Sequence, residues 1–144
     1  MEPRVRPMLA SDAERVAELS SELGYALDTA TFGERFAALA GASGHALFVA
    51  ELPEGVVGWT HVASVLALEN PPYAEILALI TDARVRRAGV GRELVRAAVE
   101  WARARGLSTL RVRSNVTREE SHRFYPACGF RVLKTQHCYA LHLA

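Results

Sequence analysis

Apolar side chains recur along this chain at two different spacings, and these spacings predict its central elements. Residues 76–80 form an unbroken apolar run, which is typical of a strand covered on both faces. From Gly89 onwards, apolar residues at 90, 94, 95, 98, 101 and 102 return at helical spacing until Gly106, a residue type that often ends helices. The pattern therefore predicts a buried strand and an amphipathic helix, joined by a bend in which Asp82 is an exposed turn residue.

The other elements are predicted from alternating apolar residues, helix caps, and glycine or proline stops. Capping boxes that begin at Ser11 and at Thr117 indicate two helix starts, and Asp28 or Thr29 is the candidate cap of another helix. Pro126 is expected to end the last helix. In chain order we expect a strand at 4–9, helices from 11 and 28, strands at 45–52, 56–68 and 75–80, a helix from 89, a strand at 109–113, a helix from 117, and strands at 130–133 and 138–143.

This order, β-α-α-β-β-β-α-β-α-β-β, predicts an α/β fold in which helices pack on the faces of a mixed sheet. Of the 144 residues, 50% are hydrophobic and 23% charged, which fits one soluble globular domain, 1–144. No apolar stretch approaches the roughly 20 residues of a membrane span, and no signal core opens the chain, so we expect a cytoplasmic protein without a membrane partner. Cys128 and Cys138 lack metal-ligand spacing, so we expect free thiols and no metal.

The junction between the central strand and its helix carries the glycine loop, which we define as residues 86–92. Gly89 and Gly91 stand where strand, turn and helix start leave backbone N–H groups unpaired at the positive end of a helix dipole. Such a helix start binds phosphate readily, because no Cβ holds the ligand away from the donors. Glycines at a helix start also occur for turn geometry alone, and neither G-x-x-x-x-G-K-[ST] nor G-x-G-x-x-G is present.

Two sequence blocks together resemble the GNAT superfamily of N-acetyltransferases. The first is [RQ]-x-x-G-x-[GA], at Arg86, Gly89 and Gly91, directly after a buried strand. The second lies within 111–130, where Ser114 and Asn115 follow a strand and a helix ends in F-Y-x-x-x-G-F. The resemblance covers nearly the whole chain. It implies a single-domain, mostly antiparallel mixed sheet flanked by helices, with acetyl-CoA as the co-substrate.

The same resemblance implies which residues hold acetyl-CoA. Backbone N–H groups of the central strand would bind the thioester oxygen and the pantetheine amides, and main-chain donors of the glycine loop would bind the pyrophosphate. Asn115 would bond to the pantetheine arm. The strand residues are Leu79, Ile80 and Thr81, and the loop residues are Arg87, Ala88, Gly89, Val90, Gly91 and Arg92.

Acetyl transfer to an amine needs a base and an acid. An alkyl amine has a pKa near about 10 and is protonated at neutral pH, and the departing thiolate needs a proton. By resemblance Glu75, eleven residues before Arg86, is the candidate base. It is equally an ordinary carboxylate at a strand start, and a water chain through His61 or His122 is the alternative route. By resemblance Tyr125 is the candidate acid, and otherwise it is an aromatic core residue.

Tyr25, Trp59 and His61 are candidate residues of an amine pocket, although each is also a common core residue type. Residues 1–72 carry four Arg against ten Asp and Glu (net −6), whereas residues 73–144 carry thirteen Arg and Lys against six acids (net +7). A basic half that binds a polyanionic cofactor and an acidic half that attracts a cationic amine would explain both net charges. Ordinary solvated surface would also explain them. The arginines are scattered and lack interleaved aromatics, so no nucleic-acid partner is expected.

These observations predict transfer of an acetyl group from acetyl-CoA to a primary amine of a small cationic molecule, by direct attack in a ternary complex. Within the superfamily, the second block looks most like small-molecule amine acetyltransferases, including the aminoglycoside-modifying kind. Two alternatives are open: acetylation of protein N-termini or lysines, and a catalytically silent CoA-binding regulatory domain. The presence of both Glu75 and Tyr125 argues against the silent domain. An edge strand around 136–143 could pair across a two-fold axis, which predicts a homodimer.

Overall fold

A computed structural model describes residues 2–114 and 116–144, except for the side chains of Arg86 and Arg87. Nine helices and strands are named here in chain order. They are β1 (Arg4–Pro7), α1 (Ala13–Glu22), α2 (Thr29–Ala40), β2 (His45–Leu52), β3 (Gly55–Val65), β4 (Tyr73–Thr81), α3 (Val90–Ala104), β5 (Leu110–Val112) and α4 (Glu119–Ala127). Short 3-10 helices at Ala10–Asp12 and Ala83–Ala88 precede α1 and α3.

The five strands form one sheet in the order β1-β2-β3-β4-β5. All neighbouring pairs are antiparallel except β4 and β5, which are parallel. The parallel pair is possible because α3 provides the long crossover that a parallel connection needs. The expected mixed, mostly antiparallel sheet flanked by helices is therefore confirmed, and so is the order of elements from β1 to α4.

Backbone contacts divide the chain into two compact units, residues 1–113 and residues 114–144. The first unit contains the whole sheet with α1, α2 and α3. The second contains α4 and the segment that follows it. Within the described residues, no helix is both long enough and apolar enough to cross a membrane.

The first unit has a core on each face of its sheet. One face is covered by α1 and α2, and Val16, Leu19 and Phe32 of these helices pack there against Val49 and Ile80 of the strands. The other face is covered by α3, whose Val90 and Leu94 pack against Ala50 and Val57. Because apolar residues line both faces of β4, this strand has the unbroken apolar run that the sequence shows.

The contact between α3 and the sheet is closest at Gly58 of β3. A Cβ built on Gly58 would lie 2.8 Å from Cγ1 of Val90, 3.0 Å from the carbonyl oxygen of Ile80 and 3.2 Å from Cδ1 of Leu94. These distances leave no room for a side chain. Gly58 therefore sets how closely the first turn of α3, which begins in the glycine loop, approaches the strands.

Two helix starts differ from the sequence prediction and one agrees with it. Asp12, not Ser11, is the N-cap of α1, and its carboxylate also accepts a hydrogen bond of 2.7 Å from the N–H of Leu9. In the second unit α4 begins at Glu119 with Arg118 as its N-cap, so the predicted cap, Thr117, is one residue early. The cap of α2 is confirmed, because the N–H of Thr31 donates to Oδ1 of Asp28 at 2.7 Å.

The end of the chain differs more strongly from the prediction. Pro126 lies inside α4, which ends one residue later at Ala127, so the proline is tolerated in the last turn and does not stop the helix. The two predicted strands at 130–133 and 138–143 are wrong, since residues 130–144 form no strand. Alternation marks a sequence that favours a strand, but a ladder needs a partner, and the two segments do not pair with each other.

Candidate active site

An opening lies between β4 and β5, on the side of β4 that faces away from β3. The parallel pairing covers only Ala74 to Ile76 of β4, whereas β4 continues to Thr81. Within the first unit, residues 77–81 therefore have no strand partner on that side. Strand β4 thus diverges from β5 after Ile76.

The hydrogen bonding at the end of β4 shows which backbone groups face this opening. The N–H of Asp82 donates to the carbonyl oxygen of Val57 in β3 at 2.8 Å. Because N–H directions alternate along an antiparallel strand, the N–H of Ile80 also points to β3, opposite Trp59. The N–H groups of Leu79 and Thr81 point the other way, into the opening. The structure thus places two of the three predicted strand donors at the opening and directs the third, Ile80, to β3.

The glycine loop turns the chain from β4 into α3. Gly89 is the N-cap of α3 and has a φ of +78°, the left-handed region that favours glycine. The N–H groups of the first helical turn, at Val90, Gly91 and Arg92, have no carbonyl one turn earlier in the helix to bond to. A Cβ at Gly89 would meet no described atom within 4 Å, so the space beside this helix start is open. These features are suited to binding a pyrophosphate. Of the other predicted loop residues, Ala88 ends the preceding 3-10 helix, and the side chain of Arg87 lies outside the described part.

Asp82 holds the beginning of this connection in place and is buried, contrary to the prediction of an exposed turn residue. The residue is 5% exposed, and its carboxylate accepts bonds from the N–H, Nε and Nη2 of Arg84 at 2.9, 3.0 and 2.9 Å. It also accepts a bond of 2.8 Å from Nη2 of Arg15 in α1, whose Nε donates to the carbonyl oxygen of Val56. The bonds from Arg84, with the one from Arg15, hold the pKa of Asp82 well below its usual range although burial opposes them.

The sequence contained one usable signal for Asp82. An aspartate directly after a strand and directly before a new helical turn is a common cap, because its side chain accepts from backbone N–H groups. Nothing in the sequence indicates Arg15 as its second partner, since the two residues are 67 positions apart. Sequence reasoning therefore missed the hydrogen-bonded ion pair that connects α1 to the segment leading to the glycine loop.

Three predicted residues lie on one face of the sheet, which we call the acceptor face. In the pairing of β3 with β4, Trp59 lies opposite Ile80, His61 opposite Ala78 and Ala63 opposite Glu75. Side chains of directly paired residues lie on the same face, and so do residues two apart on a strand. Trp59, His61 and Glu75 therefore share one face.

A β-bulge makes this arrangement possible. The register between β3 and β4 shifts between His61 and Val62, which leaves Leu77 as the extra residue of β4. Glu75 and Ala78 are three residues apart and would lie on opposite faces of a regular strand. With the bulge, both lie on the acceptor face.

Glu75 is a buried carboxylate beside an arginine. The residue is 9% exposed, and its Oε1 lies 3.6 Å from Nε of Arg113, which follows β5. The side chain of Arg113 is 73% exposed, so solvent screens this ion pair and it holds Glu75 only weakly. The structure thus places the predicted base on the same strand as the donors of Leu79 and Thr81.

His61 is less suited to act as the base. Its Nε2 lies 2.9 Å from Nδ1 of His45 on the neighbouring strand. Burial, and second the charge of His45, lower the pKa of His61 to about 4. Because Nε2 of His61 already lies at hydrogen-bond distance from His45, only its other ring nitrogen could take a proton from a substrate. Between the candidates of the first unit, the geometry favours Glu75.

The other predicted acceptor residues differ in their surroundings. Trp59 packs against the core below α1 and α2, and its Nε1 donates to Oγ of Ser20 at 3.2 Å. It therefore has a structural role on the acceptor face. Tyr25 lies in the loop between α1 and α2 and is exposed, so its phenol is available at the surface of the first unit.

The remaining candidates lie in the second unit. The Tyr125 ring on α4 stands edge-on to the rings of Phe124 and Phe130, with centroids 5.1 and 5.5 Å apart. This cluster fixes the orientation of the Tyr125 ring within its unit. His122 is exposed on the same helix, and Asn115 lies outside the described residues. The roles of Tyr125, His122 and Asn115 stay predictions. Among the described residues, no three His, Cys, Asp or Glu residues are grouped as a metal site would require.

Comparison with known proteins agrees with this geometry. Residues 13–130 match the family model described as the acetyltransferase (GNAT) family, and the chain therefore belongs to this family. It is 28% identical over 107 residues, 74% of this chain and 75% of the relative, to the uncharacterized N-acetyltransferase YhdJ of Bacillus subtilis (strain 168). The chain is an acyl-CoA-dependent N-acetyltransferase, as the sequence predicted.

Two solved structures illustrate the shared fold. A protein of Agrobacterium tumefaciens str. C58, provisionally assigned as an acetyltransferase, is 28% identical with a TM-score of 0.85, covering 96% of this chain and 99% of its own. AAC(6')-Iy, solved with the bisubstrate analogue CoA-S-monomethyl-acetylneamine, is 16% identical with a TM-score of 0.86, covering 99% of this chain and all of its own. At that identity the second comparison shows the fold alone.

Proposed function

We propose that this enzyme transfers an acetyl group from acetyl-CoA to a primary amine of a small molecule, by direct attack in a ternary complex. One observation carries the proposal. Strand β4 presents Glu75 on the acceptor face, presents the N–H groups of Leu79 and Thr81 at its opening, and leads into the glycine loop. A base for the amine and donors for the acyl group and the pyrophosphate thus lie on consecutive parts of one backbone.

Each group has a defined task in this reaction. Acetyl-CoA supplies an activated acyl thioester. The N–H groups of Leu79 and Thr81 would hold its carbonyl oxygen and pantetheine amides, and the first turn of α3 would hold its pyrophosphate. Glu75 would accept the proton of the amine, directly or through a water. As the C–N bond forms and the C–S bond breaks, Tyr125 would give its proton to the thiolate.

The burial of the acceptor face supports a small acceptor. Glu75 is buried, and Trp59 is held in the core by Ser20. A carboxylate so deeply buried in the first unit is more accessible to a small amine than to a folded protein surface. The exposed Tyr25 in the loop after α1 is a candidate for the outer contact with that amine.

Substitution of Glu75 tests the proposal. Glu75→Gln keeps the size of the side chain and removes the proton acceptor, so kcat across an amine panel should fall by about 10²-fold or more, while the Kd for CoA stays unchanged. Release of free thiol from acetyl-CoA measures the rate, and calorimetry measures CoA binding. Glu54→Gln, in the exposed turn between β2 and β3, is the matched control. Binding of CoA by the unmodified protein without acetylation of any amine or peptide would instead indicate a silent binding domain.

We also propose a homodimer that pairs through the C-terminal segment. Tyr139, Leu141 and Leu143 alternate along this segment and are 90%, 84% and 83% exposed, and the segment forms no strand. Alternating apolar side chains and unpaired backbone are stabilised when a second copy adds its own strand. Light scattering at tens of micromolar should give the mass of two chains, and removal of residues 136–144 should give a monomer. A monomeric full-length protein would contradict this proposal.

A further inference from the structure

One guanidinium on the acceptor face has no part in the reaction described above. Arg111 of β5 lies opposite Glu75 in the parallel pairing, so the two side chains share a face of the sheet. Its Cζ lies 4.0 Å from the centroid of the Tyr73 ring. Its Nε is buried and has no hydrogen-bond partner among the described residues.

This arrangement leaves positive charge beside the candidate base. A buried donor without an acceptor is unfavourable, and the Tyr73 ring holds the plane of the guanidinium without neutralising it. Arg113, two residues further along and on the same face, already forms an ion pair with Glu75. Two guanidinium groups therefore stand beside a single carboxylate on this part of the acceptor face.

We propose that Arg111 binds an anionic group of the amine substrate, a carboxylate or a phosphate. The substrate is then a small zwitterion and not the purely cationic molecule that the sequence predicted. The planar donors of arginine match the oxygens of both anions. This inference rests on the proposed function, because it places the amine at Glu75. Neighbouring strands are about 4.8 Å apart, so the amine and the anion are separated by only a few bonds.

Matched pairs of amines test this inference. Each pair differs only in its anion: an ω-amino acid and its primary amide, and an amino sugar and its 6-phosphate. The unmodified enzyme should show at least tenfold higher kcat/KM for the anionic member of one pair, and the preferred pair distinguishes carboxylate from phosphate. Arg111→Met should reduce this preference at least tenfold, about 1.4 kcal/mol, without changing the Kd for CoA.

A second stacked arginine provides the control. Cζ of Arg105 lies 4.9 Å from the centroid of the Trp101 ring at the end of α3, which covers the opposite face of the sheet. Arg105→Met removes an equivalent cation–π contact and should leave the preference unchanged. If Arg111→Met does not fold, Arg111→Gln, which keeps polar atoms at the site, replaces it.

The possible outcomes separate this inference from the proposed function. Equal kcat/KM for both members of every pair would overturn the inference, as would an unchanged preference in the folded Arg111 variant. If no amine is acetylated although CoA binds, the proposed function fails. Calorimetry of the anionic compounds with the CoA-loaded protein then judges the Arg111 site separately: binding that is lost in Arg111→Met supports an anion site, and no binding overturns it.

Discussion

Replacement of Asp82 by Asn should weaken both the stability of the fold and the binding of CoA. Asp82 is buried and accepts four hydrogen bonds, three from Arg84 and one from Arg15. The amide keeps one acceptor oxygen but removes the charge, so the bonds from the two guanidinium groups lose their charge assistance. The side chain of Arg84 is largely exposed and contributes little through its ion pair.

The expected size follows from the less exposed partner. The side chain of Arg15 is 27% exposed, and a hydrogen bond between charged groups contributes about 1.5–3 kcal/mol to stability. We therefore expect Asp82→Asn to lower the free energy of unfolding by about 2–3 kcal/mol. For a domain of this size the corresponding fall in Tm is on the order of 5–10 °C. The Kd for CoA should rise, because Asp82 caps the 3-10 helix that leads to Gly89.

A double-mutant cycle measures this interaction directly. Asp82→Asn and Arg15→Met, alone and combined, should give a coupling energy of about 1–2 kcal/mol in urea unfolding. The same arginine also donates to Oε1 of Glu18 on the exposed side of α1 at 2.6 Å. The cycle of Arg15→Met with Glu18→Gln is therefore the control, with an expected coupling of at most about 0.5 kcal/mol. An Asp82–Arg15 coupling no larger than that of the control would refute the reasoning.

Three further predictions concern the glycines and the histidine pair. Gly58→Ala forces a Cβ against Val90 and should destabilise the protein by about 1–3 kcal/mol. Gly33 lies at an open position in α2, so Gly33→Ala should stabilise the protein by about 0.5–1 kcal/mol. Thermal unfolding of the two variants measures both effects. Gly89→Glu should weaken CoA at least tenfold in a calorimetric titration, and an unchanged Kd in the folded variant would exclude the glycine loop as the pyrophosphate site. The pKa of His61 in the folded protein, about 4, lies below the unfolded value of about 6.5, so the unfolded chain binds the proton first as the pH falls. The free energy of unfolding should therefore decrease by about 1–2 kcal/mol between pH of about 6.5 and 4, allowing for partial exposure. His61→Gln should flatten this part of the pH profile.

Local signals explain the parts of the fold that the sequence predicted well. Strand β2 has the predicted bounds, and α2 has the predicted cap at Asp28 because its partner is only three residues away. The helix after Gly89 follows directly from the spacing of its apolar residues. Each of these elements depends on interactions between near neighbours, which a sequence shows directly.

The features that the sequence did not predict depend on distant partners. Burial of Asp82 requires Arg15 of α1, and the stacking of Arg111 requires Tyr73 of another strand. The two C-terminal strands were expected from alternation alone, which carries no information about a partner strand. The position of Ile80 was predicted, but the direction of its N–H follows from the register with β3.

The bulge at Leu77 determines on which face of the sheet the Glu75 side chain lies. An even number of steps along a strand returns to the same face and an odd number does not, and the extra residue converts the three steps from Glu75 to Ala78 into an effective two. If Leu77 instead paired as in a regular strand, opposite Val62, all three steps would count. Glu75 would turn towards α3, while the N–H groups of Leu79 and Thr81 would keep their direction. Deletion of Leu77 would remove only the extra residue and would leave Glu75 on the acceptor face. Whether Leu77 forms the bulge therefore determines whether the carboxylate and the backbone donors serve the same substrate.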